Sequence, residues 1–396
     1  MRLIHRIQVA ICATIALLSV SCTNKIVVSS EPVPSAISAT APNLKVFLEN
    51  SGSMDGYMCN GSQLKDCIYD YVSDLNQSTA ETRLYFINSD TILHKGDLTS
   101  YIKNMTPATF KRAGGSRSNT DIGRILNVII DNMETNDVAM FISDCILDLP
   151  AVDAQKFLTN CQISIKNAII NGKKRNPDFA VEIIKMESDF EGAYYYQNGS
   201  VEILKDVKRP YYIWMFGSDS NLAKLNKDVP LSGINKYGLK GYVAFAGPQQ
   251  IPFDILNSSL TGSVINPTKS DYKVTIRGDF STTLLRDEAL LDKSNFSFSN
   301  RGIVIDGVYP ISDPNSQYTH FIRFTIPKDT KISEDNLILN APHLPSWVKE
   351  SNDETGLDVK NHLEQTTGIL QLVEGVSDAY KKENILTKLK FKVKRK

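Results

Sequence analysis

The chain has 396 residues, with 44 Lys plus Arg set against 44 Asp plus Glu, so its formal net charge is zero. A balanced chain has no bulk electrostatic reason to bind nucleic acid, and its length suggests two or three domains. Six cysteines and five scattered histidines exclude a dense disulfide scaffold and show no zinc-type spacing.

The first 22 residues read as a targeting segment. Arg2 and Arg6 give a positive start, and Ile7–Val20 is mostly apolar but too short to span a membrane. The segment ends Leu17-Leu18-Ser19-Val20-Ser21-Cys22, which resembles a bacterial lipoprotein signal with small residues before a lipidated Cys22. An ordinary secretory signal and an uncleaved anchor are the alternatives. The resemblance implies a lipid-anchored protein of the bacterial cell envelope, on either the periplasmic or the surface side. Residues 23–42, rich in Ser, Ala, Pro and Thr, read as a flexible tether.

Residues 43–247 alternate strand and helix signals, the pattern of a doubly wound, mostly parallel α/β sheet. Strands are expected at Leu44–Leu48, Arg83–Asn88, Val138–Ser143, Phe179–Met186 and Tyr211–Phe216, with an antiparallel edge at Thr91–His94. Helices are expected at Leu64–Leu75, Asp121–Met133 and Val152–Ile170. In the second of these, Ile122, Ile125, Leu126, Ile129 and Ile130 recur at helical spacing. Thr120 is its expected N-cap. Between Tyr194-Tyr195-Tyr196 and Val201-Glu202-Ile203 stands Asn198-Gly199, a strong hairpin signal where a helical crossover would be usual. The tyrosines either pack the ribbon or form a contact surface.

Three loops in this region carry chemistry. The apolar run Leu44–Leu48 stops in Glu49-Asn50-Ser51-Gly52-Ser53-Met54. A Gly- and Ser-rich loop, Gly114-Gly115-Ser116-Arg117-Ser118-Asn119-Thr120, opens the second helix. The apolar run Val138–Ile142 ends in Ser143-Asp144. Ligands in open α/β sheets bind outside the carboxyl ends of strands, and oxygen donors suit hard cations. In order and placement the three loops resemble the metal-ion-dependent adhesion site of von Willebrand factor A domains, over roughly residues 43–228. The first motif of that family is Asp-x-Ser-x-Ser; here Glu49 stands for the Asp. The resemblance implies Mg²⁺, with Mn²⁺ or Ca²⁺ as alternatives, held by Glu49, Ser51, Ser53, Thr120 and Asp144. It also implies a protein partner whose carboxylate completes the cation's shell. A degenerate scaffold without metal is the alternative favoured by Glu49. A metal-dependent hydrolase drawing on Asp55, Asp144, Asp148 and Asp153 is a third. No nucleophile–base pair is visible, so no enzyme activity is expected.

Cys12 leaves with the signal. Proximity suggests disulfides Cys59–Cys67 and Cys145–Cys161, although four cysteines allow three connectivities and buried free thiols are the alternative. Residues 248–396 change to short β-prone runs broken by Pro, Asn, Asp and Gly, at Ser270–Arg277, Asn295–Phe298, Gly302–Ile305 and His320–Ile326. These predict a sandwich-like β domain. A helical pattern through Leu363, Leu370, Val373, Val376 and Tyr380, then a period-two basic strand over Lys388–Lys396, form its expected α+β addition.

Overall fold

The computed structural model describes residues 25–31, 40–118, 121–196, 198–256, 263–268, 271–382 and 384–396. Cys12, Cys22 and Thr120 lie outside the described residues, as do the rest of the targeting segment and residues 23–24 and 32–39 of the tether. No described helix is long and apolar enough to cross a membrane.

The chain is mixed α/β, and its first large sheet has seven strands. In chain order these are β2 (Asn43–Glu49), β3 (Glu81–Ile87), β4 (Thr91–Leu93), β5 (Asp137–Ser143), β6 (Phe179–Tyr195), β7 (Val201–Ser218) and β8 (Leu239–Phe245), preceded by β1 (Ile26–Ser30), which belongs elsewhere. The spatial order is β4-β3-β2-β5-β7-β6-β8. Only β2 makes parallel pairings, with β3 and β5; all other neighbours are antiparallel. The expected mostly parallel sheet is therefore corrected to a mixed one. The cause is the turn at Asn198-Gly199: a tight hairpin returns the chain beside itself, so β7 enters antiparallel between β5 and β6.

Alternation along β2 sends Leu44, Val46 and Leu48 to one face and Phe47 to the other, and each face builds its own apolar cluster. The first face is covered by α1 (Gln63–Gln77), α2 (Leu98–Lys103), α3 (Pro107–Lys111) and α6 (Asp219–Asp228). The second is covered by α4 (Ile122–Asp131) and α5 (Ala154–Arg175). The Ile and Leu stripe of α4 is fully buried there. Its N-cap is Asp121, whose carboxylate accepts from Arg124 N–H at 2.9 Å, in place of the expected Thr120.

Most of the remaining strands, with β1, make two antiparallel sheets. They are β9 (Phe253–Ile255), β10 (Ser263–Ile265), β11 (Asp271–Gly278), β12 (Phe296–Phe298), β13 (Val304–Pro310), β14 (His320–Pro327), β15 (Glu334–Asn340) and β18 (Ile385–Arg395). One sheet has the order β10-β1-β18-β15-β12 and the other β13-β14-β11-β9. Both contribute to one apolar cluster, bridged by Phe324 against Phe391 at 5.6 Å and Phe298 at 4.8 Å. In β18, Leu389, Phe391 and Val393 are buried between outward lysines.

Two expectations fail here. Ile26–Ser30, read as tether, is a strand between β10 and β18; its Ile-Val-Val run is β-branched, and Ile26 and Val28 bury in that cluster. The C-terminal helix α9 (Ile369–Tyr380), which follows the short helices α7 (Asp287–Leu291) and α8 (Ser346–Glu350) and the two-residue strands β16 (Asn352–Asp353) and β17 (Thr366–Thr367), packs on α5. It does not lie on the β-rich sheets. Gly375 permits this approach: a Cβ there would stand 2.7 Å from the Gln162 carbonyl oxygen and 2.8 Å from Ile165 Cβ.

Candidate functional site

The site grows from the carboxyl ends of β2 and β5, neighbours in register from Asn43–Asp137 to Leu48–Ile142. Parallel pairing brings the residues that follow, Glu49 and Ser143, side by side. The Ser143 hydroxyl donates to the Glu49 carboxylate and accepts the Cys145 N–H at 2.7 Å. Glu49 is 1 % exposed and Asp144 2 %. Past Asp144 the chain turns sharply, with Cys145 in the left-handed region at φ 55°, a conformation costly for a residue with a Cβ.

After Glu49 the chain enters a short loop and a 3-10 helix, Ser53–Met58. The Ser51 and Ser53 hydroxyls stand 2.9 Å apart. That is hydrogen-bond spacing, and it is also the separation of about 2.9 Å expected for adjacent oxygens of an octahedral Mg²⁺ with bonds of 2.0–2.1 Å. One Asp144 oxygen accepts from Ile146 N–H at 3.2 Å; the other, Oδ2, is buried with no hydrogen-bond partner among the described residues. Burial pushes the Asp144 carboxyl above its ordinary range, opposed by the Ser53 hydroxyl, the Ile146 N–H and the charge of Arg209. Arg209 is itself 1 % exposed, donating to the Leu363 carbonyl at 2.8 Å and lying 5.1 Å from the Tyr194 ring centre.

The Gly- and Ser-rich loop closes over the first loop from above. Gly52 N–H donates to the Arg117 carbonyl at 3.1 Å. The Arg117 guanidinium donates to the carbonyls of Asn50 at 2.6 Å and Ser51 at 2.9 Å and pairs with Asp55. Asp55 also meets Lys111 at 3.3 Å, so its carboxylate is held between two cations. Opposite this loop lies the tip of the β6–β7 ribbon. The Tyr195 ring packs over Gly52, where an added Cβ would sit 3.4 Å from it. Glu49, Ser51, Ser53, Arg117, Leu147, Asp148 and Tyr194–Tyr196 line a cleft of about 350 Å³, with Gly356 and Thr367 from the C-terminal segment.

The structure thus brings together Glu49, Ser51, Ser53 and Asp144; Thr120 lies outside the described residues. Among the described residues no group of three or more His, Cys, Asp or Glu could hold a metal ion. The candidate set has two carboxylates and two hydroxyls, which together with the unpartnered Asp144 oxygen suit a hard cation chemically. The sequence assigns no role to Arg117 and Ser143, which stand inside the second and third loops, or to Arg209, which lies against Tyr194 of the ribbon. The four remaining cysteines are free thiols, which corrects both proposed disulfides. Cys67 faces the first cluster from α1, whereas Cys145 and Cys161 pack in the second as apolar side chains. Burial pushes Cys67 up to about 12 and Cys161 to about 11, so neither is a ready nucleophile.

No protein-family model and no curated protein matches the sequence.

Proposed function

We propose that this chain is an exported, lipid-anchored binding protein whose α/β half carries a divalent-cation site of the von Willebrand factor A kind, through which it holds a protein partner. The observation that carries this reading is the convergence of Glu49, Ser51, Ser53 and the unpartnered Asp144 oxygen at the ends of adjacent parallel strands. The parallel centre of the seven-stranded sheet, with helices on both faces, supports the family reading. The shared cluster of the two antiparallel sheets supports a sandwich-like second half. The Cys22 signal supports the anchor.

Glu49, Ser51, Ser53 and Asp144 would hold the cation, with Thr120 added by resemblance. A cation bound by neutral hydroxyls and few carboxylates keeps net positive character and attracts a partner's carboxylate. The residues do the rest: Arg117 fixes the hydroxyl loop, Ser143 orients Glu49, and the tyrosine ribbon walls the cleft. The commitment of Asp55 to Arg117 and Lys111 favours binding over hydrolysis.

Thermal unfolding of the full-length chain in Mg²⁺ or Mn²⁺ against chelator tests the reading. A ligand of the folded state raises apparent stability by mass action. A cation-induced rise is expected in the wild type and its loss in Ser51→Ala with Ser53→Ala. Equal unfolding with cation and with chelator would instead favour a metal-free scaffold, to which the Ser143 bond to Glu49 lends support because it occupies part of that carboxylate.

A further inference from the structure

Strand β8 is an edge of the seven-stranded sheet, paired only with β6. The other edge strand, β4, is three residues long; β8 has seven. A long free edge is a template for another strand unless it is blocked. The first part of β8 is blocked: the Trp347 ring packs on Gly241, where a Cβ would stand 2.8 Å from it, and the indole N–H donates to the Tyr242 carbonyl at 3.4 Å. That bond also fixes the orientation of the backbone. The Tyr242 carbonyl points away from β6, so alternation turns the Ala244 N–H and C=O away as well, while Val243 and Phe245 bond to β6. Among the described residues, the main chain of Tyr242–Ala246 makes no other hydrogen bond outside that ladder.

This open stretch runs along a groove of about 640 Å³. One wall is Leu285 and Ala289; the other is Leu344, Pro345 and Tyr380. The exposed backbone of Tyr242–Ala246 spans roughly 15 Å. Among the lining residues Arg286 and Lys381 are cations and Glu288 is the single carboxylate. Their ion pairs are loose, Arg286 to Glu288 at 3.7 Å and Lys381 to Asp378 at 3.7 Å, and the Arg286 guanidinium lies 5.8 Å from the Tyr242 ring centre.

We propose that the groove beside β8 receives an extended segment of a partner protein, apolar on both faces and acidic at its ends, which adds to the sheet as an eighth strand. Backbone bonds to Ala244 supply the pairing, alternate side chains meet the two apolar walls, and the acidic ends meet Arg286 and Lys381. A fatty acid would use the walls and cations but has no alternating donors and acceptors for the strand edge.

The test is fluorescence anisotropy with the full-length chain. The probe is a labelled heptapeptide of alternating valine and alanine with aspartate at both ends. Saturable binding is expected. It should weaken about tenfold when lysine replaces the terminal aspartates and by about tenfold or more when alternate peptide amides are N-methylated. Ala244→Pro removes the outward N–H, a change edge strands tolerate, and should weaken binding with thermal unfolding unchanged. Should that variant fail to fold, Ala289→Glu, which fills and repels at the wall, and the N-methylated peptide carry the test. Absence of saturable binding overturns the proposal. So does binding indifferent to Ala244→Pro or N-methylation, or a fluorescent fatty acid bound where the peptide is not.

Discussion

Asp144 holds a buried carboxylate oxygen with no hydrogen-bond partner among the described residues. Its carboxyl sits above the ordinary value of 3.8 because burial disfavours the charge. A folded-state value above the unfolded one means that the folded chain binds the proton more tightly. The stabilisation is therefore complete below 3.8 and is lost as pH rises through the folded value. In chelator, Asp144→Asn should remove this loss and stabilise the chain at neutral pH by about 1–3 kcal/mol, the usual cost of a buried unsatisfied polar group. Urea unfolding of both proteins across the acidic to neutral range measures it. With cation present the order should reverse, because the variant has lost a ligand. A less stable variant in chelator would mean that Asp144 is already well served by Arg209 and Ser53.

The β6–β7 ribbon is the element that gives the site its cover. Beyond the part paired with β8 it crosses the 3-10 helix of the first motif. There Gly192 meets Gly56 so closely that a Cβ on Gly192 would stand 2.7 Å from the Gly56 Cα, and a Cβ on Gly56 would fall 2.4 Å from the Phe190 ring. Two glycines thus set the height of the ribbon, and with it the contact of Tyr195 on Gly52. Gly192→Val should lift the ribbon, cost about 1–3 kcal/mol, and raise amide hydrogen exchange over Gly52–Met58 while β2 stays protected. Unchanged exchange there would show that the ribbon does not hold the loop.

Much of this element was legible. Asn198-Gly199 announced the hairpin, and the strand ends at Glu49 and Asp144 announced where the hydroxyls and carboxylates would gather. The consequence of the hairpin for sheet direction was not, because a turn signal says that two strands pair and not where the pair enters a sheet. Arg117 was hidden for a related reason: a single Arg in a Gly- and Ser-rich loop carries no periodicity, and its role appears only once Asn50 and Asp55 are folded beneath it. Ile26–Ser30 was masked by the Ser- and Pro-rich composition around it, although its three β-branched residues were the available signal.

At the scale of the molecule, the path of the chain ties the two halves together. It begins in the five-stranded sheet with β1, leaves to build the seven-stranded sheet, and returns for β9 to β15. It then revisits the first half with α8 and α9 before ending in β18 beside β1. Part of the cover of the second sheet face, beside α4 and α5, is therefore supplied from far downstream in sequence. Ile369, Leu372, Val373 and Val376 of α9 are all fully buried against α5 and the sheet. At about 1.5–3 kcal/mol for each such side chain, removing them would withdraw roughly 6–12 kcal/mol, comparable to the 5–15 kcal/mol of a whole domain. A truncated chain of residues 43–247 should thus unfold or aggregate although it carries every strand of the sheet. Circular dichroism and limited proteolysis of that fragment beside the full-length chain measure this. Adding residues 341–380 in trans as a separate peptide should restore protection to α5 if α9 is the missing cover. A cooperative, protease-resistant fragment without it would show that α9 only decorates the face it covers, and that the cation site can be studied on residues 43–247 alone.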